Sequence, residues 1–152
     1  DAVAARDRYV GSLELFDPET LCLAVLTQAD PSSVGFSGVG GLIEEVTSVD
    51  DDAFFIRFES PTDSNWIIRG PTAPGHYADL GLLEAKKIKI GEEVKVDGPV
   101  LLAFDGERKR RLVEGAQAII QVKRDGPWLI DVAKVMKWAT RNGTYLSVKN
   151  RN

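Results

Sequence analysis

Turn chemistry interrupts this chain too often for long helices to form. Short apolar or alternating runs end one after another in Asp-Pro, Gly-Glu, Asp-Gly-Pro or Asp-Gly. Arg8 to Phe16 alternates and stops at Asp17-Pro18, and Leu21 to Thr27 is the nearly unbroken apolar run of a strand covered on both faces. Ala53 to Phe58 is rich in aromatics, Asn65 to Arg69 is short, and Lys86 to Ile90 alternates cleanly. Gly91-Glu92 turns into Glu93 to Val96, and Asp97-Gly98-Pro99 leads into Val100 to Phe104. Gln117 to Lys123 and Pro127 to Val132 flank Asp125-Gly126, which predicts a hairpin. Arg69 to Asp79, with two prolines and two glycines, reads as a loop. Many short strands with few, peripheral helices predict an all-β sandwich or a mostly-β domain.

Two segments carry helical signals. Asp131 can cap a helix whose apolar face is Val132, Val135, Met136 and Ala139, at i, i+3, i+4 and i+7, and Asn142-Gly143 stops it. This face is expected to pack on the sheet edge with Trp138 on its flank, and the tail from Leu146 to Asn152 is expected to fray. A second short helix is expected within residues 32–46, weakened by its glycines.

At 152 residues the chain is long enough for one domain with a real core. Nineteen basic against 23 acidic residues give a net charge of -4, which argues against a general nucleic-acid binder. The one cysteine, Cys22, cannot form an internal disulfide and reads as a small buried hydrophobe, which fits a reducing, cytoplasmic setting. No run approaches the length of a membrane span and no signal peptide is visible. The first residue is Asp1 rather than methionine, so the chain is expected to be one part of a longer protein.

Two stretches concentrate chemistry. Leu102-Ala103-Phe104 runs into Asp105-Gly106-Glu107, and four basic residues, Arg108 to Arg111, follow. Carboxylates held by a stiff strand beside guanidinium groups suit magnesium and phosphate, although a hairpin with a solvated charged end is the commoner origin of such a pattern. Upstream, Ser32 to Leu42 holds three serines and four glycines in eleven residues, which permits close approach of backbone to a ligand. Helix amides beginning near Ser33 would favour a phosphate or carboxamide, while a crossover between sheets would give the same composition. No lysine follows the glycines, so it is not a Walker loop. His76, the single histidine, reads as an exposed residue of a Pro-Gly loop, and Asp50-Asp51-Asp52 as a solvated turn rather than a metal site.

Together these stretches resemble the C-terminal domain of the ATP-NAD kinase superfamily, in its acetoin-catabolism protein X-like branch. Ser32-Ser33-Val34-Gly35-Phe36-Ser37-Gly38-Val39-Gly40-Gly41-Leu42-Ile43 is similar to a family stretch reading S-T-A-Y-x-x-S-A-G-G-P-I, with Gly35 at the tyrosine position and Phe36 next to it. Asp105-Gly106-Glu107 is similar to the D-G-E or D-G-Q motif of NAD kinases and of diacylglycerol and sphingosine kinases. Pro74 to Asp79, Asp125 to Val132 and the closing helix also resemble the branch, so the likeness runs in order over residues 8–145.

The resemblance implies a two-sheet, sandwich-like C-terminal domain of NAD kinase type, with the N-terminal α/β half and its G-G-D-G-T absent from this sequence. It implies a parent that moves the γ-phosphoryl group of ATP to a hydroxyl, with the 2′-hydroxyl of NAD as one acceptor. Asp105 and Glu107 would orient hydroxyl or Mg2+, and Arg108 would steady phosphate. Ser32, Ser33, Ser37, Gly40, Gly41 and Gly106 would cradle the nucleotide or dinucleotide. Without the α/β half this fragment is expected not to transfer phosphate. The alternatives are a non-catalytic nucleotide-sensing or assembly domain, and a lipid-kinase-like domain. A homo-oligomer is implied by resemblance; no nucleic acid or membrane partner is expected.

Overall fold

The computed structural model describes residues 1–6 and 16–147, and the strand expected over 8–16 lies, apart from Phe16, outside them. The domain is mainly β. Nine strands occur among the described residues: β1 (Ala2–Ala5), β2 (Leu21–Leu26), β3 (Asp52–Glu59), β4 (Ile67–Ala73), β5 (His76–Lys89), β6 (Glu93–Asp97), β7 (Val100–Phe104), β8 (Arg108–Leu112) and β9 (Gln117–Gln121). Two helices join them, α1 (Phe36–Gly41) and α2 (Val132–Arg141). Seven strands form one sheet in the order β4-β5-β3-β2-β1-β7-β8, and β6 pairs with β9 in a two-stranded ribbon. Every pairing is antiparallel.

The large sheet is buried on both faces, and alternation sorts its side chains between two cores. Val3, Ala24, Leu26, Phe54, Ile56, Phe58, Leu80 and Ala103 point to one side, where Val39 of α1 and Phe36 join them. Ala2, Ala4, Leu23, Val25, Phe55, Ile88, Val100 and Leu102 point to the other, where Val94 and Val96 of β6 and Ile120 of β9 close the layer. Burial on both faces is why β1, β2 and β7 read as near-continuous apolar runs rather than alternating ones.

Register carries one correction in β5. Arg57 pairs with Glu84 but Phe58 pairs with Leu82, so Leu83 is an extra residue. A bulge of this kind flips every side chain beyond it. Leu80 and Leu82 therefore share a face with Ala85, whereas Ile88 packs on the opposite core.

Three expectations are overturned. Arg69 to Asp79 is not a loop: it is the β4–β5 hairpin, with Pro74 and Gly75 between Ala73 and His76 and Gly75 at φ 71°. Pro71 is tolerated because β4 is an edge strand, where a missing N–H breaks no ladder. Pro127 to Val132 does not form the second arm of a hairpin: residues 127–131 are irregular, Val132 opens α2, and the partner of β9 is β6. The helix after Asp131 forms as expected, with the Asp131 carboxylate accepting from the Lys134 N–H at 2.8 Å. Its apolar face, however, does not pack on the sheet: Val132, Val135 and Met136 are exposed.

Cys22 is half-buried against the second core, and burial pushes its thiol above the usual range while Arg6 opposes that shift. No helix among the described residues is long and apolar enough to cross a membrane.

Candidate functional site

Two elements far apart in sequence meet beside the exposed end of β7. The first is the β7–β8 turn, in which the Glu107 N–H donates to the Phe104 carbonyl at 3.2 Å. Asp105 at φ 50° and Gly106 at φ 72° give the two left-handed residues of a primed hairpin turn. Gly106 adopts this conformation freely, and aspartate is among the few other residues that tolerate it.

The second is the crossover from β2 to β3. It is pinned at its neck, where Ala29 and Val46 exchange two backbone hydrogen bonds of 2.9 Å each. Asp30 then organises the turn: its Oδ1 accepts from the Ser32 N–H at 2.8 Å and the Ser32 hydroxyl at 2.7 Å, and its Oδ2 from the Ser33 hydroxyl at 3.2 Å. These donors, Ser32 first, hold the Asp30 carboxyl below the usual carboxylate range. The helix starts at Phe36 rather than near Ser33, with Gly35 at φ 84° as its first cap and the Gly35 N–H donating to the Pro71 carbonyl at 2.7 Å.

Between turn and crossover lies a cleft of about 250 Å³. Val3 and Ala103 form its apolar floor, and Phe16 and Phe36 form one wall. These two rings stack with centroids 5.2 Å apart and planes at 20°. The polar rim holds Ser37, Thr72, Asp1 and Asp105, with backbone at Gly35 and Gly106. Asp105 Oδ1 lies 3.0 Å from the Asp1 backbone nitrogen, and Asp105 Oδ2 accepts from Arg108 at 3.5 Å.

Of the residues expected at a site, Ser37, Asp105 and Gly106 come together here, while Arg108 lies outside the lining and pairs with Asp105 at 3.5 Å. Ser32 and Ser33 spend their hydroxyls on Asp30 and do not line the cleft. Gly40 and Gly41 turn inward: a Cβ on Gly40 would come 2.5 Å from Leu26 Cδ1, and one on Gly41 would strike the Asp30-Pro31 backbone. Their lack of a side chain lets α1 sit close to β2 and to its own loop. Glu107 is exposed beyond the lining, and Arg108 also borders a second groove with Phe104, Lys109 and Arg110. His76 is exposed at the β4–β5 turn, with Nδ1 2.9 Å from the Thr72 hydroxyl. Sequence reasoning missed Thr72 and Phe16. In the sequence only their neighbours, Pro71 before Thr72 and Asp17-Pro18 after Phe16, set either residue apart.

The chain is thus a mainly β, sandwich-like domain whose β2–β3 crossover stands beside the Asp105-Gly106-Glu107 turn. Residues 1–125 match the Acetoin catabolism protein X C-terminal domain, and the chain belongs to that family. A relative named Acetoin catabolism protein X, from Cupriavidus necator, is 25% identical over 143 residues, covering 93% of this chain. The chain spans 40% of that relative's length. No solved structure matches the chain.

Proposed function

We propose that this domain binds part of a nucleotide or of NAD in the cleft between the α1 crossover and the Asp105 turn, as the C-terminal half of an ATP-NAD kinase-like phosphotransferase. The observation that carries the reading is the meeting of the Ser37 and Asp105-Gly106 stretches in one concave site. A cleft of about 250 Å³ takes one ring or one sugar rather than a whole dinucleotide, so the remainder of the ligand would extend toward other parts of a longer protein. The apolar floor and the Phe36 wall suit a flat heterocycle, and the Ser37 hydroxyl oxygen, whose proton goes to the Gln28 carbonyl, can accept a hydrogen bond from its edge or from a ribose.

Among the described residues no cluster of three or more His, Cys, Asp and Glu side chains forms a ligand set for a metal. Magnesium is commonly held by one or two carboxylates together with substrate phosphates, and Asp105 would supply a carboxylate in that arrangement. Transfer of a phosphoryl group rests on positioning and charge stabilisation, which Asp105 and Arg108 would share with residues outside this chain.

A second reading, a nucleotide-sensing or assembly domain without catalysis, draws support from Glu107, which lies outside the cleft lining. Calorimetric titration with NAD, NADP and ATP, each with and without magnesium, tests the binding site. Saturable binding that weakens in Ser37→Ala and Asp105→Ala supports it. Binding unchanged in both variants would remove the cleft from consideration. Turnover of ATP by a longer protein containing this domain then separates phosphotransferase from sensor.

A further inference from the structure

We infer that Lys109 and Arg111 form an anion subsite on the β8 side of the cleft, where they take the phosphate groups of the ligand. The inference rests on the cleft being the nucleotide site and extends it to residues outside the lining. Register decides which members of the run Arg108 to Arg111 face that ligand, because successive residues of a strand point to opposite faces. Lys109 pairs with Ala103 and Arg111 with Leu101. Ala103 belongs to the core beneath α1 and to the cleft floor, so Lys109 and Arg111 stand on the cleft's face of the sheet. Arg108 pairs with Phe104 and Arg110 with Leu102, which pack on the other core. Because β8 is an edge strand, Lys109 also borders the groove on that other side.

One row of residues runs straight across the sheet at this point: Ala24 of β2, Val3 of β1, Ala103 of β7 and Lys109 of β8. Val3 and Ala103 are the floor of the cleft, and Phe16, Phe36 and Ser37 stand at its α1 side. Lys109 is the next residue beyond the floor, with its Cβ about 4.5–5.5 Å from that of Ala103. Arg111 follows two residues on, roughly 7 Å along the strand. Both side chains are exposed. Two long cationic side chains rooted this close can converge on one phosphate or on two adjoining ones, the arginine as a planar fork and the lysine as a point charge.

The chain carries a net charge of -4, yet four of its 19 basic residues occupy consecutive positions of β8. The two carboxylates at the cleft rim are engaged by other donors. Asp1 accepts from the Thr27 N–H at 2.9 Å and the Thr27 hydroxyl at 3.1 Å, and Asp105 pairs with Arg108 at 3.5 Å. A ring lying on Val3 and Ala103 with its phosphates toward β8 would set apolar surface on apolar surface and negative charge on positive. Cations on an edge strand also guard it against pairing with another sheet, a role in which the two faces of β8 would be equivalent. The subsite makes them unequal, and the difference is measurable.

Titration of the 152-residue chain with adenosine, ADP and ATP, followed by backbone amide resonances, keeps the ring constant and varies the phosphates. Affinity is expected to rise with each phosphate, and the amides of residues 109–111 should move with ADP and ATP but not with adenosine. Lys109→Gln and Arg111→Gln should each weaken ATP by about 3- to 5-fold, the upper range for an exposed ion pair, and leave adenosine within about twofold. Arg110→Gln removes the same charge from the opposite face and should leave ATP within about twofold. ATP that binds no more tightly than adenosine overturns the subsite and leaves the cleft reading standing. Equal losses from Arg110→Gln and Lys109→Gln also overturn it, since general attraction rather than position would then explain the affinity. If adenosine fails to bind while inorganic tripolyphosphate binds and loses affinity in Lys109→Gln and Arg111→Gln, the subsite stands and the nucleotide reading of the cleft falls. If adenosine, ATP and tripolyphosphate all fail to bind, both are overturned.

Discussion

Val39 rests on the bare backbone of Gly70: a Cβ at that glycine would come 2.6 Å from Val39 Cγ2. Val39 is fully buried, so this contact fixes how closely α1 lies over β4 and, through Phe36 and Ser37, where one wall of the cleft stands. Gly70→Ala should therefore overpack the seam and lower stability by about 1–3 kcal/mol. Chemical denaturation measures the loss. The same variant should weaken any ligand held in the cleft, although Gly70 does not line it. Unchanged stability would show that α1 can lift without consequence.

A second prediction concerns the core beneath that seam. Phe54 is fully buried in the centre of β3, with the Gly40 backbone against its ring. Phe54→Ala leaves a cavity that neither the sheet nor α1 can refill, and should destabilise the domain by about 3–5 kcal/mol. A urea midpoint shift much smaller than this would mean that α1 collapses into the gap.

Much of this arrangement could be read from the sequence, for local reasons. The strands around Leu21, Ala53, Glu93, Val100 and Gln117 announced themselves by apolar runs or alternation, and α2 by its Asp131 cap and its stop at Asn142-Gly143. What stayed hidden depended on neighbours distant in sequence. Pro71 reads as a strand breaker until β4 is known to lie at a sheet edge. The extra residue at Leu83 shifts the parity of β5, so its length does not show as one alternation. Pro127 to Val132 has strand composition yet stays irregular up to Asp131, which caps α2. At the site, the resemblance to a family linked the Ser37 and Asp105 stretches, and both line one cleft. The inward turn of Gly40 and Gly41 was not, because a glycine that admits a ligand and one that admits a neighbouring helix look alike in sequence.

Asp30 provides a pH test of the crossover. Its folded carboxyl is depressed by the Ser32 and Ser33 donors, so the carboxylate supports the turn when ionised. That support is fully present above the unfolded aspartate value of about 3.9 and is lost as pH falls through the lower folded value. The Ser32 and Ser33 amide resonances should therefore hold their positions down to about pH 4 and move only below it. In Asp30→Ala the same amides should already be displaced at neutral pH. A wild-type transition above the ordinary aspartate value would contradict the assigned hydrogen bonds.

The serines separate a structural role from a ligand-binding one. Ser37 lines the cleft and donates its hydroxyl to the Gln28 carbonyl at 3.1 Å, whereas Ser32 and Ser33 are bound to Asp30 outside it. Ser37→Ala removes a hydroxyl from the rim, and a hydrogen bond worth about 0.5–1.5 kcal/mol corresponds to a loss of roughly 2- to 12-fold in affinity. Ser32→Ala and Ser33→Ala should instead loosen the turn and leave affinity within about twofold of wild type. Titration of the three variants with NAD and ATP reads both effects, and amide exchange across residues 32–41 confirms which substitution disturbs the loop. If Ser32→Ala costs more affinity than Ser37→Ala, the ligand lies on the crossover's outer face and the cleft beside Asp105 is not its site.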